Sequence, residues 1–331
     1  CALPAELLNQ SIFLRVQMYG KKSSYQKKRL TFAENCKILV HRAAKGKISL
    51  YLSFIFEKMK RNIFRDKVII VTGASSGIGR ATALEFARQG SKVVIAARSA
   101  ERLATLEKEI TDIGTETLAC VTDVSREEDC RKLVEKTIER FGTVHILINN
   151  AGISMRALFD DVDISVLKRL MDVNFWGTVY CTKYALPYIV GNRGSIVGVS
   201  STAGFHGLPG RTGYSASKFA MHGFLETIRI ENLKEKLHVM IIAPGFTTSE
   251  VRKHALLADG TEQGNSPREE KKMMSPEFVA HWILKGIRKK KRNKIMTWAG
   301  RFTALLQRII PAVVDYGYYL EMKREPNSPL K

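Results

Sequence analysis

From residue 67 onward the chain alternates short β-branched apolar runs with longer amphipathic segments, and this rhythm leaves few folds open. The runs are Lys67–Thr72, Lys92–Ala97, Thr117–Val121, Val144–Asn149, Ser195–Ser200 and His238–Ala243. Each is apolar at successive positions rather than at every second one. A strand reads this way when both of its faces are buried, as in a parallel sheet. The intervening segments, about 78–90, 99–113, 126–141, 163–190 and 213–236, carry helical spacing. Residues 275–290 read as one more helix and Lys294–Trp298 as a last short strand. Strand–helix alternation of this kind predicts a single-domain, doubly wound parallel sheet of Rossmann type in three α/β/α layers, with right-handed crossovers. The polar stretch from about 246 to 274 is long for a connection and is expected to act as a lid.

The first run leads into Thr72-Gly73-Ala74-Ser75-Ser76-Gly77-Ile78-Gly79-Arg80, and a helix follows. Glycines at a strand-to-helix turn let the backbone approach a pyrophosphate, and the helix N-terminus offers free N–H groups and a favourable dipole. The second run ends in Ala97-Arg98-Ser99, with no carboxylate at its tip. An acidic residue there would bond a ribose diol, whereas an arginine offers a planar fork for a 2′-phosphate, so NADP(H) is expected over NAD(H). Ser75 and Ser76 stand ready to add hydroxyl contacts to the same phosphate. Asp123 reads as a helix N-cap.

Tyr214-Ser215-Ala216-Ser217-Lys218 lies near the start of a predicted helix. Residues four apart share a helix face, so the Lys218 ammonium can approach the Tyr214 phenol and lower a pKa ordinarily near 10. Alone, such a pair is usually a surface feature. Here Ser201 ends a run upstream, Asn174 sits in the long helical segment, and Asn149-Asn150-Ala151-Gly152 closes the fourth run. The glycine spacing, the Asn-Asn-Ala-Gly turn, the helical Asn, Ser, Tyr-x-x-x-Lys and Pro244-Gly245 occur in the order found in short-chain dehydrogenases/reductases. Over roughly residues 65–250 the chain resembles that family.

The resemblance implies hydride exchange between NADP(H) and a carbonyl/alcohol pair, with Asn174, Ser201, Tyr214 and Lys218 as the catalytic set. Tyr214 would move the proton and Ser201 would orient the carbonyl. Lys218 would tune the phenol and bond the nicotinamide ribose, and Asn174 would hold a relay water. Gly73, Ser75, Ser76, Gly77, Ile78, Gly79, Arg98, Asp123, Val124, Asn150, Ala151, Gly152, Tyr214, Lys218, Pro244, Gly245 and Thr247 would contact the cofactor. Where the family commonly has Thr five positions after the proline, Ser249 stands here. Phe205, His206, Leu208 and Met155 flank these motifs and are expected to line an apolar substrate pocket, His206 without a catalytic role.

Charge organises the rest. Of the net +21, residues 1–58 carry 11 Lys/Arg against 3 Asp/Glu and residues 285–331 carry 12 against 3, so the body between is nearly balanced. The expected division is a basic leader over 1–58, a dehydrogenase domain over 59–300 and a basic amphipathic tail over 301–331. Met59 is a candidate natural start, with the leader as upstream read-through. In the tail, Phe302, Leu305, Leu306, Ile309 and Ile310 fall on one helical face beside Arg301 and Arg308, before Pro311 breaks or restarts the helix. That face can pack on the body, on a partner subunit or over the substrate mouth, or can lie in an anionic interface. The tail resembles those of membrane-associated reductases of the same family, which implies a hydrophobic or lipid-like substrate.

No apolar run approaches the roughly 18 residues of a membrane span, so a cytoplasmic place, with peripheral membrane contact as an open alternative, is expected. Five scattered cysteines without a C-x-x-C pair point to buried free thiols, not to disulfides or zinc. No metal and no nucleic-acid partner are expected; a homodimer or homotetramer is. A cofactor-binding adaptor without catalysis is the alternative function, and it has no need of the four catalytic-type residues.

Overall fold

The structure, a computed structural model, describes residues 62–264, 273–324 and 328–330. The leader and Met59 lie outside the described residues. The sheet is built from β1 (Val68–Thr72), β2 (Lys92–Ala97), β3 (Thr117–Val121), β4 (Ile146–Asn149), β5 (Ser195–Val199), β6 (His238–Ala243) and β7 (Asn293–Ile295). All neighbours are parallel, in the order β3-β2-β1-β4-β5-β6-β7. The order reverses direction beside β1, between β2 and β4. That switch point opens a crevice at the carboxyl ends of the strands.

Burial on both faces explains the uniform apolar runs. Ile69, Val71, Val93, Ile95 and Ile148 point into one core layer, while Val68, Ile70, Val94, Ala96 and Leu147 point into the other. Side chains alternate along each strand, yet both sets meet helices. On the first face lie α1 (Gly77–Arg88), α2 (Ala100–Asp112) and α7 (Pro276–Arg288). On the second lie α3 (Glu127–Phe141), α5 (Gly177–Gly191) and α6 (Thr212–Glu231). The predicted three-layer architecture is the one observed. Cys120, Cys130 and Cys181 are buried free thiols.

Two departures concern helices. The segment expected as one helix over 163–190 is α4 (Ile164–Met171), a wider π turn (Asp172–Trp176), then α5. The Gly177 N–H reaches back five residues to Asp172 O. Such a bulge inserts one residue without ending the helix, so helical periodicity does not reveal it. The final strand stops at Ile295 instead of Trp298. The Thr297 hydroxyl accepts from Gly300 N–H at 3.0 Å and caps α8 (Trp298–Leu306).

In the tail the helix restarts at Pro311, one of the two outcomes expected there. α8 ends at Leu306, a turn follows, and Pro311 opens α9 (Pro311–Lys323). Pro fixes its own φ and needs no N–H partner, so it suits a first helical turn. α9 buries Val314 and Met322, and the Tyr318 hydroxyl meets His206 Nε2 at 2.5 Å. Phe302, Leu305, Ile309 and Ile310 remain exposed.

Candidate active site

The glycine-rich turn is shaped by steric necessity. Gly73 and Gly77 have φ of 64° and 51°, the left-handed region that side chains disfavour. A Cβ on Gly73 would stand 2.8 Å from Ala151 Cα, and one on Gly79 would stand 2.2 Å from Gly73 O. The turn is stitched to the end of β4 by Asn150, whose Nδ2 donates to Thr72 O at 2.9 Å and Gly73 O at 3.1 Å. The Thr72 hydroxyl accepts from the N–H groups of Asn150 and Ala151 at 3.0 and 3.1 Å. These bonds draw the two loops at the switch point together. They leave the N-terminus of α1 facing a cleft of about 830 Å³.

The cleft brings together nearly every residue expected to hold cofactor. Gly73, Ser75, Ser76, Gly77, Ile78, Arg98, Asp123, Val124, Asn150, Ala151, Gly152, Pro244, Gly245 and Thr247 line it, with Ser201, Tyr214 and Lys218. Gly79 does not line it; its role is the close approach to Gly73. A bare, backbone-lined turn below a helix N-terminus fits a dinucleotide pyrophosphate, which side chains at 73 or 79 would exclude. Asp123 is not the helix N-cap: Arg126 holds that position, and the Asp123 carboxylate instead accepts from Ser125 N and Oγ at 3.0 and 2.7 Å.

At the other end, α6 faces the end of β5. The Tyr214 phenol and Ser201 line the same end of the cleft, near enough for the serine to favour the ionised phenol, and Lys218 Nζ donates to Val199 O at 3.1 Å. Asn174, fully buried in the π turn, closes the group. Its Oδ1 accepts from Ile153 N at 2.8 Å, and its Nδ2 donates to Ile153 O at 3.0 Å and Ser217 Oγ at 2.9 Å. Both amide protons are thus spent on structure. A Cβ on Gly152 would meet Asn174 Oδ1 at a tight 3.0 Å and Lys218 Nζ at 3.5 Å, so the turn packs directly against both side chains.

The electrostatics differ from the sequence expectation in one respect. Burial pushes the Tyr214 phenol above its ordinary value, with the Ser201 hydroxyl and the Arg211 charge pulling the other way. Lys218 is not what sets it. Burial pushes Lys218 itself down to about 8, and its ammonium is directed to a main-chain carbonyl.

Among the four residues expected in an apolar substrate pocket, Leu208 lines the cleft. Met155 is wholly buried in a satellite core with Leu170 and Leu256. Phe205 packs edge-to-face on His222 at 4.7 Å, and His206 bonds the tail. Their loops bend the side chains inward. The walls instead include residues that the sequence did not single out. Tyr318, Glu321 and Met322 come from α9, and Arg102, Arg169 and Arg252 come from elsewhere. Ser249 and Glu250 bring the start of the 246–274 connection close to the cofactor side of the cleft: a Cβ on Gly77 would sit 3.2 Å from Ser249 Cβ, and Glu250 pairs with Arg102; residues 265–272 of the expected lid lie outside the described residues.

Known proteins match this arrangement. The family model described as short chain dehydrogenase matches residues 67–259. "11-beta-hydroxysteroid dehydrogenase A" of Sesamum indicum is 42% identical over 187 residues, 56% of this chain and 53% of that protein, so the chain spans about half the length of this curated relative. "Uncharacterized oxidoreductase YxnA" of Bacillus subtilis is 34% identical over 282 residues, 82% of this chain and 78% of its own. Among solved structures, a short chain dehydrogenase/reductase of Burkholderia phymatum in complex with NAD superposes with TM-score 0.68 at 24% identity, covering 76% of this chain and 95% of its own. An alcohol dehydrogenase of Thermococcus sibiricus complexed with 5-hydroxy-NADP gives TM-score 0.62 at 26% identity, covering 70% and 94%. With the family model spanning more than half of the sequence and the sheet order, glycine turn and Tyr-x-x-x-Lys helix in place, this chain belongs to the short-chain dehydrogenase/reductase family of oxidoreductases.

Proposed function

We propose that the chain interconverts a carbonyl and a secondary alcohol with NADP(H), using Tyr214 as the acid/base. The observation that carries this reading is the convergence of Tyr214, Ser201 and Lys218 at one end of the cleft that begins at the glycine turn. The cofactor, when bound, supplies or accepts the hydride. The protein's part is positional and protonic. Ser201 donates a hydrogen bond that holds the carbonyl oxygen beside the phenol. In reduction, Tyr214 gives its proton to that oxygen; in oxidation it takes one from the hydroxyl. Lys218, protonated at neutral pH and one turn along the helix from Tyr214, bonds the nicotinamide ribose. With both amide protons of Asn174 engaged, any share it takes in a proton relay falls to its oxygen atoms. Gly73, Gly77 and Gly79 admit the pyrophosphate, and Asn150, Ala151, Gly152, Pro244, Gly245 and Thr247 frame the nicotinamide half.

Arg98 is exposed at the tip of β2, on the cleft, with Arg102 one turn beyond. A guanidinium at that place suits a 2′-phosphate. Arg98→Ala is expected to weaken NADPH binding roughly 10- to 100-fold, the worth of one charge-assisted contact, while leaving NADH binding unchanged. Fluorescence titration of both cofactors reads this directly. An equal loss for both would remove the NADP(H) assignment.

A hydrophobic or lipid-like carbonyl compound is the proposed substrate. Leu208, Tyr318 and Met322 wall the cleft, and the sesame relative's name refers to a steroid. NADPH oxidation against ketosteroids, 3-keto lipids, retinoid aldehydes and keto sugars tests the reaction and the class together. Turnover confined to keto sugars would overturn the class, and turnover of none would favour the adaptor.

Peripheral membrane contact through the tail is favoured by one observation: Trp298 is 81% exposed, on the helix that also exposes Phe302 and Leu305, and Ile309 just beyond that helix is exposed too. Arg301 and Arg308 flank this strip, and Lys289–Lys291 and Arg292 precede it. No helix among the described residues is long and apolar enough to cross a membrane. Co-flotation with phosphatidylserine vesicles is expected, weakened by salt and abolished by Phe302→Ser with Leu305→Ser. Flotation that survives the double change would reject this surface.

A further inference from the structure

Tyr214, Lys218 and His222 stand one turn apart on α6, and each engages a different one of the three consecutive residues at the end of β5. The Tyr214 phenol lies near Ser201, Lys218 Nζ donates to Val199 O at 3.1 Å, and His222 Nε2 lies 2.6 Å from Ser200 Oγ. The chemistry proposed above accounts for the first two contacts and not for the third. Ser200 and His222 are both buried, and their bond lies beside Ser201 in the chain and one turn beyond Lys218 on the helix.

We propose that His222 is a positioning residue, whose bond to Ser200 locks the end of β5 against α6 and so keeps the Ser201 hydroxyl aligned with the Tyr214 phenol. This rests on the reading of Tyr214 as the acid/base. The surroundings leave the ring little freedom. Phe205 packs edge-to-face on it at 4.7 Å between centroids. A Cβ on Gly204 would fall 2.7 Å from its Nε2 and 2.8 Å from Ser200 Oγ, so the backbone closes over the bond. Burial and the neighbouring Lys218 charge push His222 down to about 4, so the ring is neutral at pH 7 and serves as a fixed hydrogen-bond partner, not a proton carrier.

A lateral freedom of an ångström or less at Ser201 is enough to slow the chemistry while binding survives. The test compares His222→Leu, Ser200→Ala, the double variant and His222→Gln, whose amide nitrogen takes the place of Nε2. The carbonyl that turns over fastest in the panel serves as probe, and the midpoint of Tyr214 ionisation is read from phenolate absorbance as the difference from Tyr214→Phe.

Each single variant is expected to lower kcat about ten-fold, with KM for NADPH within about two-fold. The double variant is expected to fall no further than either single one, because all three lose the same bond. The Tyr214 midpoint should rise by about half a pH unit as the Ser201 hydroxyl loses its alignment, and His222→Gln should recover most of kcat. Ser200→Ala removes one oxygen atom, so it tests the bond even if the His222→Leu protein fails to fold. Wild-type kcat in a folded single variant, or losses that multiply in the double, would overturn the proposal. Activity retained by Tyr214→Phe would instead bring down the acid/base reading itself. An inactive Tyr214→Phe beside a fully active His222→Leu would sink only the positioning role.

Discussion

Replacing Tyr214 by Phe is expected to lower kcat by about a thousand-fold, the usual worth of a placed general acid/base, while NADPH still binds with near-normal affinity. The substitution removes one oxygen from a ring that is held by its helix and by the satellite core around Leu170 and Leu256. Neither the glycine turn nor the Asn150 stitching depends on the phenol. Steady-state turnover together with fluorescence titration of NADPH separates the two effects. Near-normal turnover would refute the assignment, and joint loss of binding and turnover would show the phenol to be structural.

The second large effect runs in opposite directions for activity and stability. Lys218→Met is expected to cut turnover by at least a hundred-fold and yet to raise Tm. Lys218 is buried, and burial pushes it down to about 8 from an ordinary value near 10.5. The sign follows from proton binding. Between pH 8 and 10.5 the unfolded chain holds the proton that the folded chain has lost, so wild-type stability gains as pH rises through that window. Below about 8 both states are protonated, and the whole penalty of burying the ammonium stands. It amounts to at most about 3 kcal/mol, offset in part by the bond to Val199 O. Methionine keeps the stem and drops the charge, so a net gain of roughly 1–2 kcal/mol at pH 7 is expected, a Tm rise of about 2–8 °C. The difference should shrink toward zero as pH approaches 10.5. Thermal melts of both proteins across pH 7 to 10.5 check it; a Lys218→Met protein less stable at pH 7 would contradict it. The tension between stability and chemistry at this position is the usual signature of a buried charge kept for function.

Much of the fold was legible because its causes are local. A strand covered on both faces must be apolar at consecutive positions, and a backbone that must pass within 2.2 Å of a would-be Cβ must use glycine. The order of the motifs carried the family, and the carboxyl-edge rule placed the cleft. Three things were out of reach. The π turn that buries Asn174 breaks no periodicity. The inward set of Phe205, His206 and Met155 depends on loop paths that adjoining residues do not dictate. The pairing of Tyr318 with His206 joins residues 112 positions apart, and no local pattern marks a tail helix as part of the cleft wall.

The sequence alone determined the parallel sheet, the glycine turn and the Tyr214–Lys218 spacing, because each follows from short-range sterics and helix or strand period. The tertiary structure decided which charges are desolvated, how α9 walls the cleft and how α6 locks onto the end of β5. Those depend on the packing of segments distant in the chain, where burial, not residue type, sets the strength of a charge or a hydrogen bond.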